Sequence, residues 1–117
     1  MKKIVLIDDN KDYLEVLKEF IECNNKVKCI TFSNPVEAYD YISTHDNIDI
    51  IITDYEMPGL NGVELAKKIL EKFSNKKIII SSGHDERILY KVIKKEGLDT
   101  QVAVICKDNI NFFSHLV

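Results

Sequence analysis

A chain of 117 residues is expected to fold as one domain, with no length left over for a second. Lys plus Arg number 16 against 19 Asp plus Glu, a net charge of −3, which argues against direct nucleic-acid binding because that needs a basic excess to displace counterions. Hydrophobic residues at 45% and charged residues at 30% are globular values, and they exclude a disordered chain. The longest apolar runs, Ile4–Ile7 and Val102–Cys106, fall far short of the roughly 20 residues that span a bilayer. The stretch after Met1-Lys2-Lys3 is also too short for a signal peptide. Cys23, Cys29 and Cys106 form no CxxC pair and have no His at metal spacing, so they read as buried small hydrophobes in a reducing, cytoplasmic setting.

The first run, Lys3–Ile7, is apolar without alternation and reads as a strand. Tyr13, Leu14, Val16, Leu17, Phe20 and Ile21 then share one side of a 3.6-residue period, leaving Glu15, Glu19 and Glu22 outward, on a helix capped by Asn10 or Asp12. Val27–Phe32 is a second strand, and Asn34-Pro35 supplies the cap and first position of a helix reaching about Ser43. After a third strand, Ile48–Thr53, Asn61-Gly62 precede a helix with an apolar stripe of Val63, Leu65, Ala66, Ile69, Leu70 and Phe73. Lys77–Ser81 is the fourth strand. Asp85 opens a fourth helix with Ile88, Leu89, Val92 and Ile93 inward and Gly97 as its stop. Val102–Cys106 is the fifth strand, and Asn109–Val117 has room only for a short helix. All strands but the second are continuously apolar, as in a parallel sheet covered on both faces.

Five β-α repeats with right-handed crossovers imply an α/β fold, whose chemistry gathers at the carboxyl ends of the strands. Those ends hold Asp8-Asp9, Asp54, Ser81-Ser82-Gly83 and Lys107. One Asp at a strand end is most often a turn or a cap, but acids, a hydroxyl and an ammonium at four strand ends form a constellation. Three converging carboxylates repel unless a positive charge sits among them, and Mg²⁺ suits a site of few carboxylates with retained waters. One carboxylate can then act as a nucleophile toward phosphorus, with Lys107 neutralising the transferring oxygens.

At these residues the chain resembles the receiver domains of two-component response regulators. The motifs are Val5-Leu6-Ile7-Asp8-Asp9-Asn10, then Asp54-Tyr55-Glu56-Met57-Pro58-Gly59-Leu60-Asn61-Gly62, then Ser81-Ser82-Gly83, with Lys107 closing the match. The second is the most specific. The resemblance implies a flavodoxin-like five-stranded parallel sheet of order 2-1-3-4-5 with helices on both faces. It also implies Asp54 as phosphoryl acceptor, Asp9 as a direct Mg²⁺ ligand, Asp8 as a ligand largely through water, and the backbone carbonyl of Glu56 as a further ligand. Ser82 and Lys107 match the hydroxyl and lysine that turn toward the phosphoryl group. The expected donor is a sensor histidine kinase or a phosphotransfer protein, and the expected target a downstream effector protein. Residues 1–117 are thus expected to be a single receiver domain, stand-alone or cut from a longer regulator, and a signalling module that assists its own phosphorylation rather than an enzyme.

The chain departs from the family pattern in its final third. Lys107 is followed by Asp108 where the family commonly has Pro, and Val104 stands where an aromatic switch residue is usual. Leu98-Asp99-Thr100-Gln101 lengthens a loop, and only ten residues follow Lys107, so the fifth helix is expected to be short or atypical. Ile110, Phe112, Phe113 and Leu116 are expected to cover the sheet, and exposed area on Phe112, Phe113 and Leu116 would favour a homodimer. Glu56 and His84 flank the site as candidates for tuning hydrolysis, whereas His45 and His115 read as surface residues. The alternative function is a pseudo-receiver that binds partners without being phosphorylated. A haloacid-dehalogenase phosphatase would want Asp-x-Asp after the first strand, and a flavodoxin would want a phosphate loop there.

Overall fold

The computed structural model describes residues 1–83 and 86–116, with His115 through its backbone alone. Five strands, β1 (Lys2–Ile7), β2 (Val27–Phe32), β3 (Ile50–Asp54), β4 (Lys77–Ser82) and β5 (Val102–Cys106), pair in parallel in the order β2-β1-β3-β4-β5. They alternate with α1 (Lys11–Asn24), α2 (Pro35–Thr44), α3 (Gly62–Lys72) and α4 (Glu86–Lys95), and a 3₁₀ helix, Ile110–His115, ends the described chain. The short final helix expected from the sequence is therefore present as a 3₁₀ turn rather than an α-helix.

Each helix starts where a side chain satisfies its first free N–H groups. Asn10 accepts from the N–H of Tyr13 at 3.1 Å, which settles the choice of cap for α1. Asn34 accepts from Val36 and Glu37, with Pro35 at the first helical position of α2. Asn61 and Glu64 cap each other's backbone at 2.8 and 3.0 Å to open α3. Gly97, at φ +74°, ends α4 as expected, with Leu98 N–H donating back to the Ile93 carbonyl. Asp85, the expected opening of α4, lies outside the described residues, as do His84 and the side chain of His115.

Two apolar layers flank the sheet. On one face Ala38 and Ile42 of α2, Leu65, Ala66 and Ile69 of α3, and Leu89 and Ile93 of α4 pack on Val5, Ile7, Ile51, Ile78 and Ile80. On the other, Leu14, Leu17 and Ile21 of α1 join Phe113 over Ile4, Leu6, Ile50, Ile52 and Ile79. Alternate residues of the same strand thus feed opposite layers, which explains why the strands are apolar without alternation.

Several sequence expectations are corrected. Ile88 and Val92 were expected inward on α4, yet they are 67% and 37% exposed. The buried stripe is the i, i+4 pair Leu89 and Ile93, and the neighbours one position earlier point about a quarter-turn away. Val16 is 57% exposed for the same reason, set against the stripe Leu14, Leu17, Ile21. Ala103 is exposed and Val104 half-buried, because β5 is an edge strand covered incompletely. Ile48 is buried but precedes β3, held there by a buried Lys76 whose Nζ donates to the carbonyls of Asp46 and Ile48 at 2.7 and 3.0 Å.

Glu22, expected outward, is half-buried and accepts the N–H of Cys29 at 2.9 Å, closing a free donor on the β2 edge. Burial first, and the Glu22 carboxylate second, push the Cys29 thiol up to about 12, so it holds no thiolate at neutral pH. Cys23 is exposed, Cys29 buried and Cys106 intermediate, so the expectation of three buried cysteines holds fully only for Cys29; all three are free. His45 is exposed, as expected.

Candidate functional site

The strand register assembles the site. Ile7 pairs with Thr53, Asp54 with Ser81, and Ser82 with Cys106, so Asp8, Asp54, Ser82 and Lys107 fall at successive strand ends along one sheet edge. Backbone bonds fix the loops that leave it: Asp8 N–H to Phe32, Tyr55 N–H to Ser81, and Lys107 N–H to Ser82, at 3.1, 3.0 and 2.9 Å.

Asp8, Asp9 and Asp54 each offer a carboxylate oxygen, and these oxygens lie within 4.8 Å of one another. Asp8 and Asp54 are buried, while Asp9 is exposed at the rim. Lys107 Nζ reaches into the cluster, 2.7 Å from Asp8 Oδ2 and 3.3 Å from Asp54 Oδ1. Of the two contacts the shorter is with Asp8. Asn10 N–H donates to the other Asp8 oxygen, Oδ1, at 2.9 Å, and Tyr55 N–H shares Asp54 Oδ1 with the lysine, donating to it at 2.8 Å. Ser82 is buried at the end of β4, and Glu56 is exposed two residues past Asp54. Glu56 lines an open cleft of about 470 Å³ with Asp9, Tyr55, Met57, Pro58 and Asn61.

The run after Asp54 has a steric logic. A Cβ on Gly62 would lie 2.5 Å from the Asp54 carbonyl oxygen, so only glycine lets α3 start this close to the end of β3. Gly62 N–H donates to the Tyr55 carbonyl at 2.8 Å, and Gly59 turns the loop at φ +88°. Met57 is buried in the core below. By contrast, a Cβ on Gly83 would meet nothing within 4 Å. Among the described residues there is no cis peptide bond, so the chain passes from Lys107 to Asp108 in the trans form.

The profile of the response regulator receiver domain family matches residues 4–108. The chain belongs to that family. A chemotaxis protein CheY homolog of Campylobacter jejuni is 28% identical over 102 residues, covering 86% of this chain and 78% of its own. The transcriptional regulatory protein ComA of Bacillus subtilis is 33% identical over 103 residues, covering 84% of this chain. This receiver spans 47% of ComA, and 13% and 14% of two Arabidopsis thaliana relatives at 34% identity. The crystal structure of a response regulator receiver domain protein from Clostridium thermocellum superposes with a TM-score of 0.86 at 26% identity, over 97% of this chain and 89% of that one. Vibrio cholerae CheY4 shares the fold, with a TM-score of 0.80 at 18% identity.

The receiver's electrostatics follow from its geometry. Burial, then the neighbouring Asp8 charge, raise the pKa of Asp54, against the pull of Lys107 and the Tyr55 N–H. Burial alone would lower the pKa of Lys107, but its hydrogen bond to Asp8 and the charges of both acids outweigh this and raise it. Because the folded protein holds the Asp54 proton more tightly than the unfolded chain does, ionising Asp54 costs stability. That cost is complete above the raised value and vanishes as pH falls to the ordinary carboxylate range. Asp54→Asn is therefore expected to stabilise the metal-free protein at neutral pH, raising Tm by roughly 3–6 °C, the scale of about 1 kcal/mol in a domain of this size. Thermal unfolding in a chelator, repeated near pH 4 where the gain should shrink, checks both sign and cause.

Tyr13 was read from the sequence only as part of the α1 apolar stripe. Its ring instead lies against the site, with its centroid 4.6 Å from Lys107 Nζ. The available signal was its place one helical turn beyond Asp9.

Proposed function

We propose that this receiver accepts a phosphoryl group on Asp54 and passes the event to a partner as a changed surface. One observation carries the reading: the Lys107 ammonium is drawn between Asp8 and Asp54, beside Asp9, where acids alone would repel. Carboxylates of Asp8, Asp9 and Asp54, with the backbone carbonyl of Glu56, are the oxygen donors that would hold Mg²⁺. A bound Mg²⁺ would neutralise charge on the acids and on an incoming phosphoryl group. The Asp54 carboxylate attacks phosphorus in line, and the bond from phosphorus to the donor atom breaks as the acyl phosphate forms. Tyr55 N–H keeps the Asp54 carboxylate oriented, and Lys107 can swing from Asp8 onto the phosphoryl oxygens. Ser82, at the adjacent strand end, can donate its hydroxyl hydrogen to the phosphoryl group, which brings a charge of roughly −2 and three acceptor oxygens.

The donor by this reading is a phosphohistidine of a sensor kinase or phosphotransfer protein, or a small acyl phosphate, and an effector protein reads the result. With Val104 in place of an aromatic, the response cannot be an aromatic side-chain rotation on β5. It must instead run through Ser82, Lys107 and the loops that they pull. A cleft of about 670 Å³ beside Val104, lined by Tyr90, Lys91 and Lys94 of α4, is the surface proposed to carry the response. Among the described residues no helix is long and apolar enough to cross a membrane, and a cytoplasmic setting is proposed with the kinase partner. Incubation with Mg²⁺ and acetyl phosphate should add the mass of one phosphoryl group to the wild type and nothing to Asp54→Asn. No gain in the wild type would leave the pseudo-receiver reading standing, and equal gain in both proteins would put the phosphoryl group on a residue other than Asp54.

A further inference from the structure

Tyr13 occupies the first turn of α1, where its N–H is fixed by the Asn10 cap and its ring is half-buried. The ring presents itself to Lys107 at 4.6 Å, on a lysine already 2.7 and 3.3 Å from two carboxylates. Among the described residues the buried Tyr13 hydroxyl has no hydrogen-bond partner. Burial raises its pKa, with Asp8 and Asp54 adding to the rise and Lys107 opposing it, so the group lies in the field of the site while bonding to none of it. Its contribution is therefore the ring. An aromatic face attracts an ammonium without taking up its N–H donors. A carboxylate in the same place would add a fourth negative charge and compete for those donors.

We propose that Tyr13 is a positioning residue of this site, its ring seating the Lys107 ammonium between Asp8 and Asp54. The inference rests on the reading of Asp54 as acceptor, and it gives that site a part that the motifs do not contain. A lysine has four methylene groups of freedom, and a ring beneath its head restricts them to the arc that joins Asp8, Asp54 and an incoming phosphoryl group.

Two consequences have opposite signs. A seated ammonium competes with a divalent cation for the carboxylates, so removing the ring strengthens Mg²⁺ binding. The same ammonium stabilises the transferring oxygens, so removing the ring slows phosphoryl transfer. A ring that merely filled space would weaken both when removed.

The test compares the full chain with Tyr13→Phe, Tyr13→Leu and Tyr13→Met, the last two being alternative ways to delete the aromatic face should one of them fail to fold. Mg²⁺ affinity is read by calorimetric titration, and transfer by the rate of mass gain from acetyl phosphate at saturating Mg²⁺. Leu or Met should lower the Mg²⁺ Kd and slow transfer by roughly three- to tenfold each, while Phe stays within about twofold of the wild type in both. Weakening of both properties in Leu and Met, no change in either, or Phe behaving like Leu would overturn the proposal. If the wild type gains no mass, the acceptor reading fails separately, and the Mg²⁺ affinities still decide whether Tyr13 seats Lys107.

Discussion

Lys107→Ala is expected to destabilise the metal-free receiver by about 2–4 kcal/mol, because it leaves a buried ion-pair cluster without its cation. Asp8 has a side chain only 3% exposed and relies on Lys107 at 2.7 Å, with Asp54 sharing the same ammonium at 3.3 Å. Removing the lysine leaves the buried Asp8 and Asp54 facing one another in a poorly hydrated place, with Asp9 beside them at the rim. Magnesium should restore most of the lost stability, since a dication can take over the same oxygens, and the variant should bind it more tightly than the wild type does. Transfer to Asp54 should nevertheless fall by roughly 10²–10³-fold even at saturating metal, the usual loss when one group that stabilises developing charge is removed. Urea unfolding with and without Mg²⁺, beside the rate of mass gain, separates the two roles. A variant that stays destabilised at high Mg²⁺ would mean that the acids do not form a cation site.

Phe113→Ala should cost about 3–5 kcal/mol, a large share of the 5–15 kcal/mol that holds a typical domain together. Phe113 is 0% exposed and packs with Ile4, Leu6, Leu17 and Ile21, although it sits on a six-residue 3₁₀ turn. The turn is pinned by a buried Asn25: its Nδ2 donates to the Phe113 carbonyl at 2.9 Å and its Oδ1 accepts Leu116 N–H at 2.9 Å. The anchor holds the turn, and with it Phe113, against this face of the sheet. It also removes most of the apolar area that would have favoured a homodimer there: Leu116 is half-buried, which leaves Phe112 exposed at 43%. A loss below about 1 kcal/mol in urea unfolding would show that the C-terminal turn is not part of the core.

The sheet, its order and the residues at its edge were legible because a parallel strand announces itself twice, by an unbroken apolar run and by the polar residue that ends it. Asp8, Asp54, Ser82 and Lys107 each follow such a run, and the register brings them side by side. Glycine at position 62 was readable as a motif, but its reason, the Asp54 carbonyl 2.5 Å from a would-be Cβ, is a distance between two elements. Three of the misplaced residues share one cause. Ile88, Val92 and Val16 depend on how a helix is rotated over the strands it covers, which a 3.6-residue period leaves open by about a quarter-turn. Glu22, Asn25 and Tyr13 act on partners 7, 88 to 91 and 94 residues away in the chain, beyond the reach of any local pattern.

The most direct test locates the phosphoryl group. Protein incubated with acetyl phosphate and Mg²⁺ is reduced with borohydride, which converts an aspartyl phosphate to homoserine, and is then digested and sequenced by mass spectrometry. The account predicts homoserine at position 54, dependent on Mg²⁺ and absent when the metal is chelated. Homoserine at Asp8 or Asp9, or an unmodified Asp54 under conditions that saturate the metal site, would contradict it.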